Sequence, residues 1–507
     1  MKRILLSLFG ILIVVFGSLW LLLFTSTGNG IIKPWLESYL QHYVPEAKLE
    51  AFSLRPDQTQ LTLSLKQNAR LEVDAITNVW QKSALGTWRL HATDLSELQA
   101  LLPIPLAGAL SSEGRFIVSP NALEVDGKVQ LPHSLVHITA QQANTNSPIS
   151  AQVSGDMALT DLSTLLKQPH IASGTAKLAA SADIPRQQPL QLNGQANLNL
   201  ADGKLHHQAF NALTEQALPQ DVNFQLNSQT EILSGNSLTQ LKLNSDLVNL
   251  QLTDARYQLG GDQFNTQHSL IMNDLTRLAF ITQTPLHGSI KVTGDADYQF
   301  NTKALKVTAN SDTLGGRVTT LLVNQQFNAQ LQDLSAVEVS KLLGMKPVFK
   351  SRLDGKLAYA LDQQQGDFSA LLTDGQILPN DVSALLNQAA RFDITREVYK
   401  SVTTSGKIQR KVIAADLNMQ SNLTHISSQA ARIDLAQSQL DVLLNVDVQD
   451  LKLPVRLKGA LTSPDVSADF SGVLEQSLKH NAEKAAQEAI EKEKGKLLQQ
   501  FNLPKLF

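Results

Sequence analysis

Between about residues 48 and 470 apolar and polar side chains alternate, one after the other, in run after run. LTLSLKQ sets Leu61, Leu63 and Leu65 on one side, and DVNFQLN does the same with Val222, Phe224 and Leu226. LDVLLNVDVQ repeats the pattern with Val442, Leu444, Val446 and Val448, and the next run with Leu451, Leu453, Val455 and Leu457. A strand with one apolar and one polar face belongs to an antiparallel sheet covered on one side. Asp126-Gly127, Asp202-Gly203, Asp354-Gly355 and Asp374-Gly375 read as tight turns between such strands. If about 420 residues form strands of 10 to 12 residues with their turns, roughly 35 to 40 strands follow, a ribbon of up to about 170–190 Å. Open twisted sheets of that width curl. The expected fold is therefore mostly β: an elongated, curled antiparallel sheet, a β-groove folded like a taco, with short covering helices. Its apolar face must be filled, either by the chain's own helices or by an apolar ligand.

A degenerate repeat runs through these strands. Asp94-Leu95-Ser96, Asp161-Leu162-Ser163, Asp274-Leu275-Thr276 and Asp333-Leu334-Ser335 each open a stretch with helical leanings, with the Ser/Thr or the Asp as cap. A glycine follows the first three copies 13 or 14 residues later, at Gly108, Gly174 and Gly288, and the fourth only at Gly355. Successive copies are 67, 113 and 59 residues apart, so the unit is repeated loosely and is not a strict solenoid.

Both ends differ from the middle. Ile4 to Phe24, including Leu12, Val15 and Trp20, holds 21 residues without a charge, enough to cross a bilayer as a helix. Lys2 and Arg3 precede it, which places the N-terminus in the cytosol and the bulk of the chain on the other side. The run exceeds a signal-peptide core and TSTGNG is no A-x-A-like exit, so the expectation is an uncleaved anchor. IIKPWLESYLQHYVPEA follows as a short helix, with Pro34 in its first turn and Trp35, Leu36, Tyr39, Leu40 and Tyr43 at helical spacing. This helix either lies beside the membrane or seals one end of the sheet. At the other end Ser463-Pro464-Asp465 reads as a turn, after which Leu474, Leu478, Ala482, Ala485 and Ala489 form a narrow apolar stripe on a charged amphipathic helix. Glu475/Lys479 and Glu488/Lys492 support it, and it is expected to lie on another envelope protein or across the end of the sheet. The divisions are an anchor at 1–28, a short helix at 29–47, a repetitive β-groove at 48–370, a C-terminal β module at 371–470 and a charged helix and tail at 471–507.

Composition removes several classes of function. Forty-three basic residues against 46 acidic ones give a net charge of −3, without the positive field that nucleic acid requires. There are no cysteines, hence no disulfides, thiolate nucleophiles or cysteine metal sites. No G-x-S-x-G, Walker loop or H-E-x-x-H occurs, so neither an enzyme nor a cofactor is expected. The Gly-Lys pairs at Gly127, Gly203, Gly355 and Gly406 read as hairpin turns. His133 and His137 have zinc-ligand spacing only on a helix; on a strand they stand about 13 Å apart. His206 and His207 are read on opposite faces of a strand, and Asp295 and Asp297 as half-exposed strand carboxylates without a calcium-loop continuation.

The last 100 or so residues resemble the C-terminal module of the AsmA family. LLTDGQI matches its opening "DGxI" strand, and Leu453-Pro454-Val455, Gly459-Ala460-Leu461, Pro464 and Asp469 match its closing strand, followed by a Lys/Glu/Ala helix. The single anchor, the short helix after it and LRPDQTQLTLSL resemble the family's opening, and the "DL[ST]" units its middle. The resemblance covers both ends well and the centre weakly; the closing motif is the specific one. It implies an inner-membrane-anchored periplasmic protein of a Gram-negative bacterium, related to the larger TamB-like proteins. In that family long apolar β-grooves carry phospholipid toward the outer membrane or support its assembly. The resemblance thus implies phospholipid acyl chains as the partner of the apolar rows named above. This chain is shorter than the best-known members, which points to a partner or a narrower role.

Overall fold

The computed structural model describes residues 24–43, 47–65, 68–96, 106–144, 146–282, 285–390, 392–448, 451–461, 463–469, 487–488 and 490–492. Among the described residues there are twenty-seven strands, antiparallel wherever their register is defined. They number fewer than the sequence period suggests because several connections are long and because strands reach thirteen residues, as in Asn193–Leu205. The chain divides into two compact units: residues up to Ile271 with Ala296–Lys303, and Met272–Asp295 with residues from Ala304 onward. The strand Ile290–Gln299 straddles that division.

In the first unit the strands pair antiparallel in chain order from Ala47–Leu54 to Gln263–Met272. One detour is the two-residue strand Ala172–Ser173, which joins the end of Asn193–Leu205. Alternate strand ends are built differently. At one end the chain turns tightly, as at 79–82, 119–122 and 234–235. Ser234-Gly235 is a two-residue turn with both φ angles positive, where glycine relieves the strain. At the other end the connections 93–109, 159–174 and 206–221 are longer and carry short helical segments such as Leu159–Leu165 and His207–Thr214. The buried residues Ala92, Leu95, Leu131, Ala158, Leu200 and Val222 lie at this second end.

The helix Ser26–Tyr43 begins eight residues before Pro34, so this proline sits inside it and not in its first turn. Leu36 and Leu40 pack on the buried cluster of Ala47, Leu49, Leu63 and Ala92, which makes the helix a seal on the first strands. Asn29 locks its start by donating to the Leu54 carbonyl at 3.0 Å and accepting from the Leu54 amide at 3.2 Å. Of the expected anchor, Ile4, Leu12, Val15 and Trp20 fall outside the described residues. Among the described residues no helix is long and apolar enough to cross a membrane. The C-terminal stripe from Leu474 to Ala489 likewise lies outside them, although Gln487, Glu488, Ile490, Glu491 and Lys492 are helical.

The second unit pairs its strands in chain order from Ala304–Thr313 to Ser463–Ala468. Its core gathers Tyr399, Val402, Ile426, Val446, Leu453 and Val455. Ser463-Pro464-Asp465 is not a turn: it starts this last strand, with Pro464 opposite Gly459. A strand with one neighbour tolerates proline because its outer N–H has no ladder partner to lose.

The Asp-Gly and Gly-Lys dipeptides are not turns either. Gly127, Gly203, Gly355, Gly375 and Gly406 all lie within strands. Several of them make room for a ring from another strand, one or two strands away. A Cβ on Gly127 would stand 2.5 Å from the Trp88 ring, one on Gly203 2.6 Å from Phe224, and one on Gly406 2.8 Å from Phe368.

Candidate functional site

In the first unit the register aligns apolar side chains into rows that cross the strands. Leu200 faces Leu226, Leu226 faces Leu243, Leu243 faces Leu250, and Leu250 faces Leu270. Four strand spacings make this leucine row about 19 Å long, on the scale of an extended fatty acyl chain. The next row runs Leu178, Leu198, Ser228, Leu241, Leu252 and His268. Beyond it Thr230 and Thr239 share a hydrogen bond at 2.8 Å, and then come Ile232 and Tyr257. Leu200 is buried, whereas Leu198, Leu226, Leu241 and Leu252 are half-buried. The face is sealed along the end that carries the short helices and only partly covered along the middle of the strands.

Val222, Phe224 and Leu226 line this face of the strand Val222–Leu233, and Leu61 and Leu63 line the corresponding face near the first helix. Leu65 pairs with Ala47 and Ala69, but its side chain lies outside the described set. In the second unit Val442 faces Leu457, Leu444 faces Val455, Val446 faces Leu453 and Val448 faces Leu451. Val446, Val448, Leu453 and Val455 are buried in the core of that unit, so they hold the fold together, while Val442, Leu444 and Leu457 are half-buried at its margin. Sequence period alone does not separate these two groups, because a core strand and a half-open strand alternate alike.

The opposite face is polar. In the first unit it carries a hollow of about 750 Å³ lined by Ser181, Asp183, Asn193, Gln195, Gln229 and Glu231. Some of the carboxylates on this face are paired: Asp441 in the second unit receives a two-pronged bond from Arg456 at 3.0 and 2.8 Å, and Asp126 in the first meets Arg115 at 2.9 Å. The Arg456 hydrogen bonds hold the Asp441 carboxyl below its ordinary range. Among the described residues no group of His, Asp and Glu is arranged to hold a metal.

The four histidines singled out in the sequence each meet a carboxylate. His133 sits at a hairpin, where its amide and ring meet Asp161 at 2.8 and 3.1 Å, and Ser134 donates to the same carboxylate at 2.6 Å. Burial pushes Asp161 up, but these hydrogen bonds outweigh it and hold the group down. His137 stands 3.3 Å from Asp126. His206 and His207 are not on opposite faces of a strand: they start the helix His207–Thr214 and both approach Asp221, at 3.6 and 2.7 Å. The His207 hydrogen bonds draw Asp221 down to about 2. Asp295 and Asp297 do lie on a strand, Ile290–Gln299.

The repeated Asp-Leu-Ser/Thr motif builds two of the connections. At Asp94 the carboxylate accepts from the Ser96 amide at 2.9 Å and the Ser96 hydroxyl at 2.5 Å, while the Leu95 amide donates to the Gly108 carbonyl at 2.8 Å. Asp274 repeats this with Thr276, and Leu275 with Gly288. The same cap recurs at Asp393-Ile394-Thr395, with isoleucine in place of leucine. The other two copies differ. Leu159, three residues before Leu162 of the motif, donates to Gly174, and at the fourth copy Ser335 caps the helix Ala336–Leu342. Gly355, paired with that fourth copy in the sequence, is in mid-strand.

A scan against known protein-family models finds no match for this chain, and neither does a comparison with characterised proteins.

Proposed function

We propose that this chain is a non-enzymatic envelope protein that holds or conducts phospholipid acyl chains on the half-buried apolar face of its sheet. In this reading the run Ile4–Phe24 tethers it to an inner membrane, with the N-terminus in the cytosol and the sheet in the periplasm. The observation that supports it best is the row from Leu200 to Leu270: apolar, in register, and only partly covered. Such a row in water is unfavourable, and laying an acyl chain along it removes from water about 0.8 kcal/mol for each CH₂ covered. No bond need be made or broken. The resemblance of both ends to the AsmA family supports the same reading, including a role in outer-membrane biogenesis.

The sealed clusters around Ala92 and Val446 favour a second reading, an assembly or scaffold factor for outer-membrane proteins or lipopolysaccharide whose apolar face is filled by its own segments. Mass spectrometry of the protein isolated under mild conditions separates the two. Stoichiometric phospholipid, with photo-crosslinks to lipid from Leu241 and Leu252, supports the first. Lipid-free protein without such crosslinks defeats it and leaves the scaffold.

A further inference from the structure

The described part of the first unit begins just after the apolar run 4–24, and the place where it begins is defined. That segment leads into the helix Ser26–Tyr43, whose Asn29 is bound to Leu54, and the hairpin after Leu54 is in turn bound to the next one: Thr77 donates from its amide to Asp57 and from its hydroxyl to Arg55. Immediately beyond Thr77 comes the hairpin Asn78–Ser83, with Val79 and Trp80 at its tip and Trp80 81% exposed. On the polar face beside it Ile76 faces Leu85 and Leu85 faces Ile117, three large apolar side chains in register and all exposed. Large exposed apolar residues are uncommon on that face of the first unit, where Leu135 is another. Arg55 and Lys82 stand exposed at the same end, with Asp57. An exposed tryptophan with aliphatic neighbours and flanking cations fits the boundary of a bilayer, where an indole ring sits at headgroup depth and cations meet lipid phosphates.

We propose that this end of the first unit docks on the bilayer, with the Asn78–Ser83 hairpin seating Trp80 among the lipid headgroups. The inference rests on the anchored reading above, because the apolar run would bring this end, and not the helix-bearing one, to the membrane. Docking there gives the sheet a fixed stance on the membrane that a single flexible tether would not.

Because the chain has no cysteine, a single introduced one takes a label cleanly. The full chain is prepared as Gln81→Cys and, for the helix-bearing end, as Gln168→Cys. Each is labelled with an environment-sensitive fluorophore and reconstituted with vesicles of phosphatidylethanolamine and phosphatidylglycerol. Flotation is measured first, then quenching by a nitroxide carried at lipid headgroup depth. The expected result is a floating protein whose label at 81 is blue-shifted and quenched several-fold more than the label at 168, with the difference lost on adding Trp80→Ser. A floating protein whose two labels are equally aqueous overturns the docking while leaving the anchor standing. A blue shift at 81 without lipid quenching identifies a protein neighbour, a second copy included, and also overturns it. Protein that does not float overturns both readings.

Discussion

Asp94 shows how much one carboxylate can organise. It accepts from Ser96 twice and from the Gly108 amide, so it fastens both ends of a connection whose Leu95 is buried. Its carboxyl is held below the ordinary range, chiefly by the Ser96 hydroxyl. A depressed carboxylate contributes stability that is full above its unfolded value of about 3.9 and fades as the pH falls through the folded one. Asp94→Ala should therefore cost about 1 kcal/mol at neutral pH, as other lost caps do. In thermal unfolding the gap between the variant and the parent should narrow toward pH 3; a gap independent of pH would show that the charge is irrelevant. Tyr399 poses the reverse case. It is buried against Phe349, and burial pushes its phenol up to about 12 against the weaker opposing pull of Thr424. Neither hydroxyl makes a hydrogen bond of good geometry. Removing only the hydroxyl removes an unsatisfied polar group. Tyr399→Phe should leave stability within about 1 kcal/mol of the parent, while Tyr399→Ala should lose about 3–5 kcal/mol, as large-to-small core changes do. Chemical denaturation of the three proteins tests this.

At the scale of elements, alternation was a sound guide and turn dipeptides were not. The strands that hold Leu61, Phe224 and Val446 form where the period of two places them, because one face of each must be covered. Asp374-Gly375 failed as a turn signal for a reason that lies on another strand. The space a Cβ would take on Gly375 is occupied by the Phe349 ring, which packs there against Tyr399. A dipeptide read locally carries no sign of a ring arriving from 26 residues away. The same locality hid the cap at Asp393, where Ile394 replaces the expected leucine although the buried position accepts either. If ring and glycine are one unit, Gly375→Ala should cost about 1–3 kcal/mol by overpacking. Combined with Phe349→Leu, the glycine change should cost much less than it does alone. A double-mutant cycle in denaturant measures that coupling, and additive losses would refute it.

Across each unit, what the sequence could not separate is a sealed apolar face from a half-covered one. Val446 and Leu241 sit in strands of the same period, yet Val446 is 0% exposed inside a core cluster and Leu241 is half-buried in a row of the first unit. The difference comes from what is laid over the strands, and that depends on register and connections far away in sequence. Helical connections cover one end of the strands in the first unit, whereas Leu226, Leu241 and Leu252 in the middle rows are only half-buried. A charge therefore has opposite consequences at the two positions. Val446→Asp leaves a carboxylate buried without a partner, which should cost about 3–5 kcal/mol and lower the yield of folded protein. Leu241→Asp keeps access to water, so the strand pairs on either side of it should survive and circular dichroism should be unchanged. If acyl chains lie along that row, the same variant should lose most of its bound phospholipid. Folded Leu241→Asp protein that carries as much lipid as the parent would place the ligand elsewhere, so the two variants together separate the residues that build the sheet from those that use it.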